Sequence, residues 1–246
     1  MIKFSKANTK LKKLQKKTKK KVYSFDILSG VSCPFAKECH SWAKEVIKKG
    51  KKTRTIVDGP HCKYRCYSAS QETIFPKTYN YRKENSKILT MSFSEMVRTL
   101  TESLPQDAQI VRIHSSGDFN SQRYFDAWLY IAEQNPQIDF YTYTKALPYW
   151  IKRKEKIKKI KNFVLTASYG GTHDYLIVKH RLRSVRVVLQ KNMRDSVSHR
   201  VLPLDTTDYI AYNPNSRKTN FSLLIHGIQP AGSLEGQMSY KNRKRK

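Results

Sequence analysis

The stretch IVRIHSSGDFNSQRYFDAWLYIAEQNPQIDFYTYT, residues 110–144, carries the reading of the fold. It opens on a β-branched run, Ile110–His114, and closes on an aromatic one, Asp139–Tyr143. Between them, Gln122–Gln134 places Tyr124, Trp128 and Ile131 on one helical stripe. Strand, helix and strand in that order make a parallel pair joined by a crossover.

The same alternation extends outward. Further strands are expected at Ile88–Met91, Phe163–Ala167, Val185–Leu189, Tyr209–Ala211 and Leu223–His226. Helices are expected at Ser94–Ser103, Pro148–Lys161 and Asp174–Arg183. The first of these starts at a capping box, Ser92 with Glu95. Upstream, a helix is expected over Cys39–Lys48 and a second helical stretch after Cys66. Repeated β/α units predict an α/β fold: a TIM-like β/α barrel, complete or incomplete, or else an open doubly wound sheet. No Gly-rich dinucleotide fingerprint follows the first strand, and about seven strands lean toward the barrel.

The expected domain plan has a basic, mobile arm over residues 1–21 and one α/β domain over residues 22–240. Within it, residues 22–87 form an N-terminal cysteine-bearing, metal-binding segment, and residues 88–230 hold the β/α units. A basic tail, residues 241–246, ends the chain. The balance of 48 Lys+Arg against 19 Asp+Glu, a formal charge of +29, attracts polyanions, with nucleic acid first among them. The plainer reading is a lysine-rich, solvated surface. No run is long and apolar enough to span a bilayer, and the lysine-rich start has no apolar signal core, so a reducing cytoplasm is expected. There is no P-loop, no G-x-S-x-G elbow and no paired-carboxylate glycosidase pattern, which leaves NTPase and hydrolase readings without support.

All four cysteines fall in two close pairs, Cys33 with Cys39 and Cys62 with Cys66. In a reducing compartment such a cluster points to ligation rather than disulfides. Four thiolates suit a [4Fe-4S] cluster or a zinc site. The gaps of five and three residues are wider than the two-residue knuckles of structural zinc, which favours the larger iron–sulfur body. His40 and His61 are adjacent alternative ligands, and Lys37, Lys63 and Arg65 would stabilise thiolates. The second pair resembles the start of the radical SAM signature C-x3-C-x2-C, but the completing position holds Ala69. The plain alternative for these residues is free or core cysteine.

The expected strand ends are polar. Arg112, His114, Ser116 and Asp118 lie at or just past the end of one, Tyr143 and Lys145 of another, and Ser168 of a third. In β/α folds the C-terminal ends of strands build the active site, so these residues are candidates for one ligand pocket. Gly117 and the Gly170-Gly171 pair would let backbone amides approach a ligand. Each residue also has a plainer role, such as Asp118 as a helix cap or His114 as a core histidine.

Three segments carry a family resemblance: Asp58-Gly-Pro-His-Cys-Lys-Tyr-Arg-Cys-Tyr-Ser-Ala-Ser-Gln-Glu72, Val111-Arg-Ile-His-Ser-Ser-Gly-Asp-Phe119 and Val201-Leu-Pro-Leu-Asp-Thr-Thr-Asp208. With Pro76, Tyr81–Asn85, Tyr124, Trp128 and Tyr141–Lys145, the chain resembles the bacteriophage gene product 88 family over roughly residues 25–230. The resemblance implies a viral protein acting in the cytoplasm of an infected bacterium. It also implies a radical SAM-like α/β barrel and a cysteine-bound iron–sulfur cluster. Relatives are expected to carry further cysteines near the C-terminus, and this chain has none after Cys66. Four ligands then remain for one [4Fe-4S] cluster. The functions this leaves open are electron transfer or redox work with an unidentified partner, nucleic-acid binding around a structural metal, and radical SAM-like catalysis.

Overall fold

The computed structural model describes residues 2–196 and 198–244. The chain begins with β1 (Ser5–Lys6), α1 (Thr9–Thr18) and β2 (Val22–Phe25), followed by the hairpin β3 (Ser41–Lys48) and β4 (Lys51–Asp58). Helices α2 (Tyr67–Ile74), α3 (Pro76–Asn85) and α4 (Phe93–Ser103) lead into β5 (Ile110–Ile113), α5 (Gln122–Gln134) and β6 (Asp139–Thr144). Then come α6 (Leu147–Lys152), α7 (Lys154–Lys159), β7 (Phe163–Ser168), α8 (Tyr175–Lys179) and β8 (Ser184–Val188). The chain ends with α9 (Tyr209–Tyr212), β9 (Phe221–Leu224) and α10 (Leu234–Lys244).

Among the described residues, the main sheet has seven strands in the order β1-β2-β5-β6-β7-β8-β9. From β2 to β9 every pairing is parallel, and β1 adds an antiparallel edge on β2. Successive parallel strands therefore always add on the same side. That order is singly wound, not doubly wound. The sheet does not close, because β1 and β9 are both edges. The closed barrel is thus not formed, while the parallel α/β alternation is.

Period-two alternation sorts the strand residues onto two faces. Phe25, Val111, Ile113, Phe140 and Leu165 pack with Met96, Trp128, Leu147 and Ile157 from the crossover helices. Val22, Ile110, Tyr141, Val164, Val185 and Phe221 face the other way and pack on Leu11 and Leu14 of α1 and on Ala211 and Tyr212 of α9. Those two helices occupy the inner face of the sheet.

The lysine-rich start, expected as a mobile arm, is in place on the sheet. Asn8 caps α1 by accepting from the N–H groups of Lys10 and Leu11. Leu11 and Leu14, three apart, form one apolar stripe and are fully buried. Each such leucine contributes about 1.5–3 kcal/mol, enough to outweigh lysine self-repulsion when the lysines stay on the solvent side. Lys20 further pairs with Asp139 at 2.7 Å.

Other expectations shift for local reasons. Cys39–Lys48 is not helical: Ser41–Lys48 is a strand, because Lys49 and Gly50 both adopt positive φ and make a two-residue hairpin turn back into the β-branched run Thr53–Val57. Ile88–Met91 lies in and beside a 3-10 turn, Ser86–Thr90, with Ile88 buried beneath it. Tyr209–Ala211 belongs to α9, whose first turn is held by the Asp205 carboxylate accepting from the N–H groups of Thr207 and Ala211. The helix expected at 148–161 breaks at Arg153, whose guanidinium holds Asp126 of α5. The basic tail is helical through Lys244, with Asn242 buried and donating to the Leu189 carbonyl; Arg245 and Lys246 lie outside the described residues.

Candidate metal centre at the strand ends

The two cysteine pairs are tied to each other and to the C-terminal edge of the sheet by backbone bonds. After β2 the chain turns at Gly30, where an added Cβ would sit 2.6 Å from the Ser41 carbonyl oxygen, and Cys33 donates to the Gly30 carbonyl at 2.9 Å. The N–H groups of Lys37 and Glu38 both donate to the Gly170 carbonyl just past β7. The second pair is fastened to the first. Gly59 donates to the His40 carbonyl, and Lys63 and Tyr64 both donate to that of Glu38. Cys66 opens α2 and donates its N–H to Ser41 Oγ at 2.8 Å.

One cavity of about 170 Å³ results. Cys33, Cys39 and Cys66 line it, together with Arg112, His114, Ser116, Asp118, Tyr143, Lys145 and Ser168. Every strand-end candidate from the sequence is therefore at one place. Cys62 is the exception among the cysteines: its thiol turns to the Tyr64 carbonyl oxygen at 3.2 Å. His40 and His61 line a separate hollow, where His40 packs against Trp42.

Three of the thiols, Cys33, Cys62 and Cys66, are held toward the protonated form. Burial pushes the Cys33 thiol well above its usual range, helped by Asp118, Cys66 and Cys39 nearby. Burial also lifts Cys62 and Cys66 to about 11 each, with Asp58 adding to the first and Cys39 to the second. The expected stabilisation by neighbouring cations is absent for two of them, because Lys63 is paired with Glu38 and Arg65 with Asp58. A metal body would have to displace these protons itself.

The cavity wall is cross-linked by hydrogen bonds. Asp118 accepts from Thr144 Oγ1 at 2.6 Å and from the Lys145 N–H at 2.8 Å, locking the end of β6 to that of β5. It does not cap α5; Ser121 does. Lys145 extends its ammonium to Ser168 Oγ at 2.7 Å and to the Tyr169 carbonyl at 2.8 Å, is almost wholly buried, and has no carboxylate at ion-pair distance among the described residues. His114 has positive φ and bonds Tyr124 through Nε2 at 3.0 Å. Burial, and then Arg112, lower its pKa to about 3, so the ring is neutral. Arg112 is committed to the buried Asp208 at 2.7 Å.

Two supporting carboxylates are not among the candidate site residues named from the sequence. Glu72 accepts from the Ser29 N–H and hydroxyl, the Ser116 hydroxyl and Arg82, which joins the cysteine loop, α2 and the end of β5. Asp26 accepts from the N–H groups of Ser115 and Ser116. The signal for Glu72 is a lone carboxylate on a helix face otherwise made of Ser68, Ala69 and Ser70, with a basic residue one helix later.

Among the described residues, no three Cys, His, Asp or Glu side chains are close enough to share a single metal ion. The thiols that line the cavity, Cys33, Cys39 and Cys66, are soft donors of the kind that both zinc and iron–sulfur clusters take.

Among the described residues, no helix is long and apolar enough to cross a membrane. Comparison with curated proteins and with solved structures gives no significant match. The family model described as Gene product 88 matches residues 2–244, nearly the whole chain. The cysteine and strand-end motifs that resemble this family are thus set in a match of that extent, and the chain belongs to the Gene product 88 family of phage proteins.

Proposed function

We propose that this protein carries a [4Fe-4S] cluster at the C-terminal edge of its sheet and uses it in electron transfer or redox work beside a polar ligand pocket. One observation carries the reading: three cysteines from two separate segments line the same cavity as polar residues from three strand ends. Cys33, Cys39 and Cys66 are the ligands best placed for the cluster. Cys62 becomes the fourth if its thiol leaves the Tyr64 carbonyl. Otherwise one iron is left for a ligand in the cavity. When bound, such a cluster supplies a one-electron couple whose potential depends on charge and hydrogen bonds around the sulfurs.

The protein's own residues then define the pocket. Lys145 presents a buried ammonium whose present partners are neutral oxygens, so an anionic group entering there gains a full charge interaction. His114 is uncharged and Arg112 is already neutralised by Asp208, which leaves Lys145 as the cation for ligand charge.

The test is anaerobic purification with iron, sulfide and zinc analysis on the wild type and on each Cys→Ser variant. About four iron and four sulfide per chain are expected, with loss in the Cys33, Cys39 and Cys66 variants. Retention in Cys62→Ser marks a three-cysteine site, and loss there marks a four-cysteine site. Stoichiometric zinc without iron would overturn the proposal.

A further inference from the structure

The open seam of the sheet is a trough. A cavity of about 770 Å³ lies between Lys6 and Lys10 on one side and Leu223 and His226 on the other, walled by Phe75, Lys77 and Tyr81. A second cavity, of about 190 Å³, continues from Lys10 and His226 to Lys13 and Arg243. The larger cavity shares Tyr67, Arg112, Ser115, Leu223 and His226 with the cysteine cavity. The seam therefore runs from the protein surface toward the candidate metal centre.

Its charge is one-sided. Lys10 and Arg112 are spent on Asp208, and Arg82 on Glu72. Lys6, Lys13, Lys77 and Arg243 are exposed, and none has a carboxylate at ion-pair distance among the described residues. The two acids of the trough, Asp26 and Asp205, are buried and engaged with backbone N–H groups. Rings stand among these cations. Phe75 is 53% exposed, and Tyr67 stacks on His226 at a centroid distance of 4.6 Å. Unpaired cations interleaved with accessible rings are the requirement for holding phosphates and stacking unpaired bases. A duplex keeps its bases turned inward and offers nothing to these rings. An acidic protein segment would satisfy the cations but not the rings.

We propose that the seam binds single-stranded nucleic acid, with phosphates along Lys6, Lys13, Lys77 and Arg243 and a base against Phe75. This stands whether or not the cysteines hold iron.

Fluorescence anisotropy with a labelled single strand of about 16 nucleotides, DNA and RNA in parallel, tests it on the full chain across a salt series. The triple variant Lys6→Glu, Lys13→Glu, Lys77→Glu should weaken binding at least ~10-fold at low salt and reduce the salt slope by about 2, for three lost phosphate contacts. The control triple Lys152→Glu, Lys159→Glu, Lys161→Glu carries the same charge change at exposed lysines that line neither cavity and should stay within about threefold. Phe75→Ala, an exposed change without charge, should weaken binding at least about fivefold, independently of whether the charge variant folds. Equal losses in both triples, or duplex bound as tightly as single strand, would overturn the proposal. So would absence of binding at low salt, or stronger competition by polyglutamate than by unlabelled oligonucleotide.

Discussion

Asp208→Asn is the sharpest test of how the sheet interior is held. The Asp208 carboxylate is fully buried and accepts from Arg112 at 2.7 Å, Tyr141 at 3.0 Å, Tyr143 at 2.8 Å and Lys10 at 2.5 Å. Asn keeps the shape and tolerates the left-handed backbone there, φ 63°, so the change removes charge with little strain. It also turns an amide NH2 toward groups that all donate. The Lys10 side chain is 29% exposed and can turn to water, whereas that of Arg112 is 10% exposed and cannot. An uncompensated buried charge of this kind costs about 3–5 kcal/mol, a large share of the roughly 5–15 kcal/mol that holds a domain.

Urea unfolding followed by tryptophan fluorescence reads this as a fall in midpoint at constant slope. Arg112→Met combined with Asp208→Asn should recover much of the loss, since the stranded charge is gone. Acid adds a second readout. Burial alone would raise the Asp208 pKa, but Arg112 and Lys10 outweigh it and hold the group well below its usual 3.8. Its contribution is therefore complete above about pH 4 and is lost as pH falls further, a dependence absent from the Asn variant. A loss below about 1 kcal/mol, or a double variant as unstable as the two singles summed, would refute the reasoning.

Two further outcomes follow from the strand-end geometry. His114, with its pKa lowered to about 3 from 6.5, binds a proton more readily unfolded than folded, so its contribution is full above pH 6.5 and falls on acidification toward pH 3. His114→Gln should flatten the stability profile between those limits by up to about 1.4 kcal/mol per pH unit, and an unchanged profile would mean the ring is not buried neutral. Gly117→Ala places a Cβ 2.3 Å from Ile27 Cγ1 and 2.7 Å from Ser32 Oγ at φ 87°, which should cost at least about 1–2 kcal/mol from the backbone alone; thermal melting within a degree of wild type would exclude that close approach.

Much of the candidate site is legible in the amino-acid sequence. Arg112, Asp118, Lys145 and Ser168 stand out because strand ends in β/α units share one edge, so readings at three strand ends converge without any knowledge of side-chain packing. Cys62 departs from the set because spacing groups cysteines by sequence, whereas the Tyr64 carbonyl, two residues on, captures its thiol. The basic neighbours of the cysteines look like cations for the thiolates, but Glu38 and Asp58 take two of them first. Such pairing depends on side chains brought together by the fold.

The alternation of strands and helices, the Ser92–Glu95 capping box and the α5 boundaries are local matters, set by residue periodicity and by caps within a few positions. Sequence alone determined these, along with the family motifs and the polar strand ends. The folded chain decided the rest. The lysine-rich start became a packed helix because a sheet face was available for Leu11 and Leu14. Tyr209–Ala211 became helical because Asp205 captures its amides. The sheet remained open, with α1 and α9 on its inner face and a basic seam beside the cysteines. Closure, cavity shape and the pairing of charges are properties of distant segments meeting, and local propensity does not encode which surfaces will be free when they do.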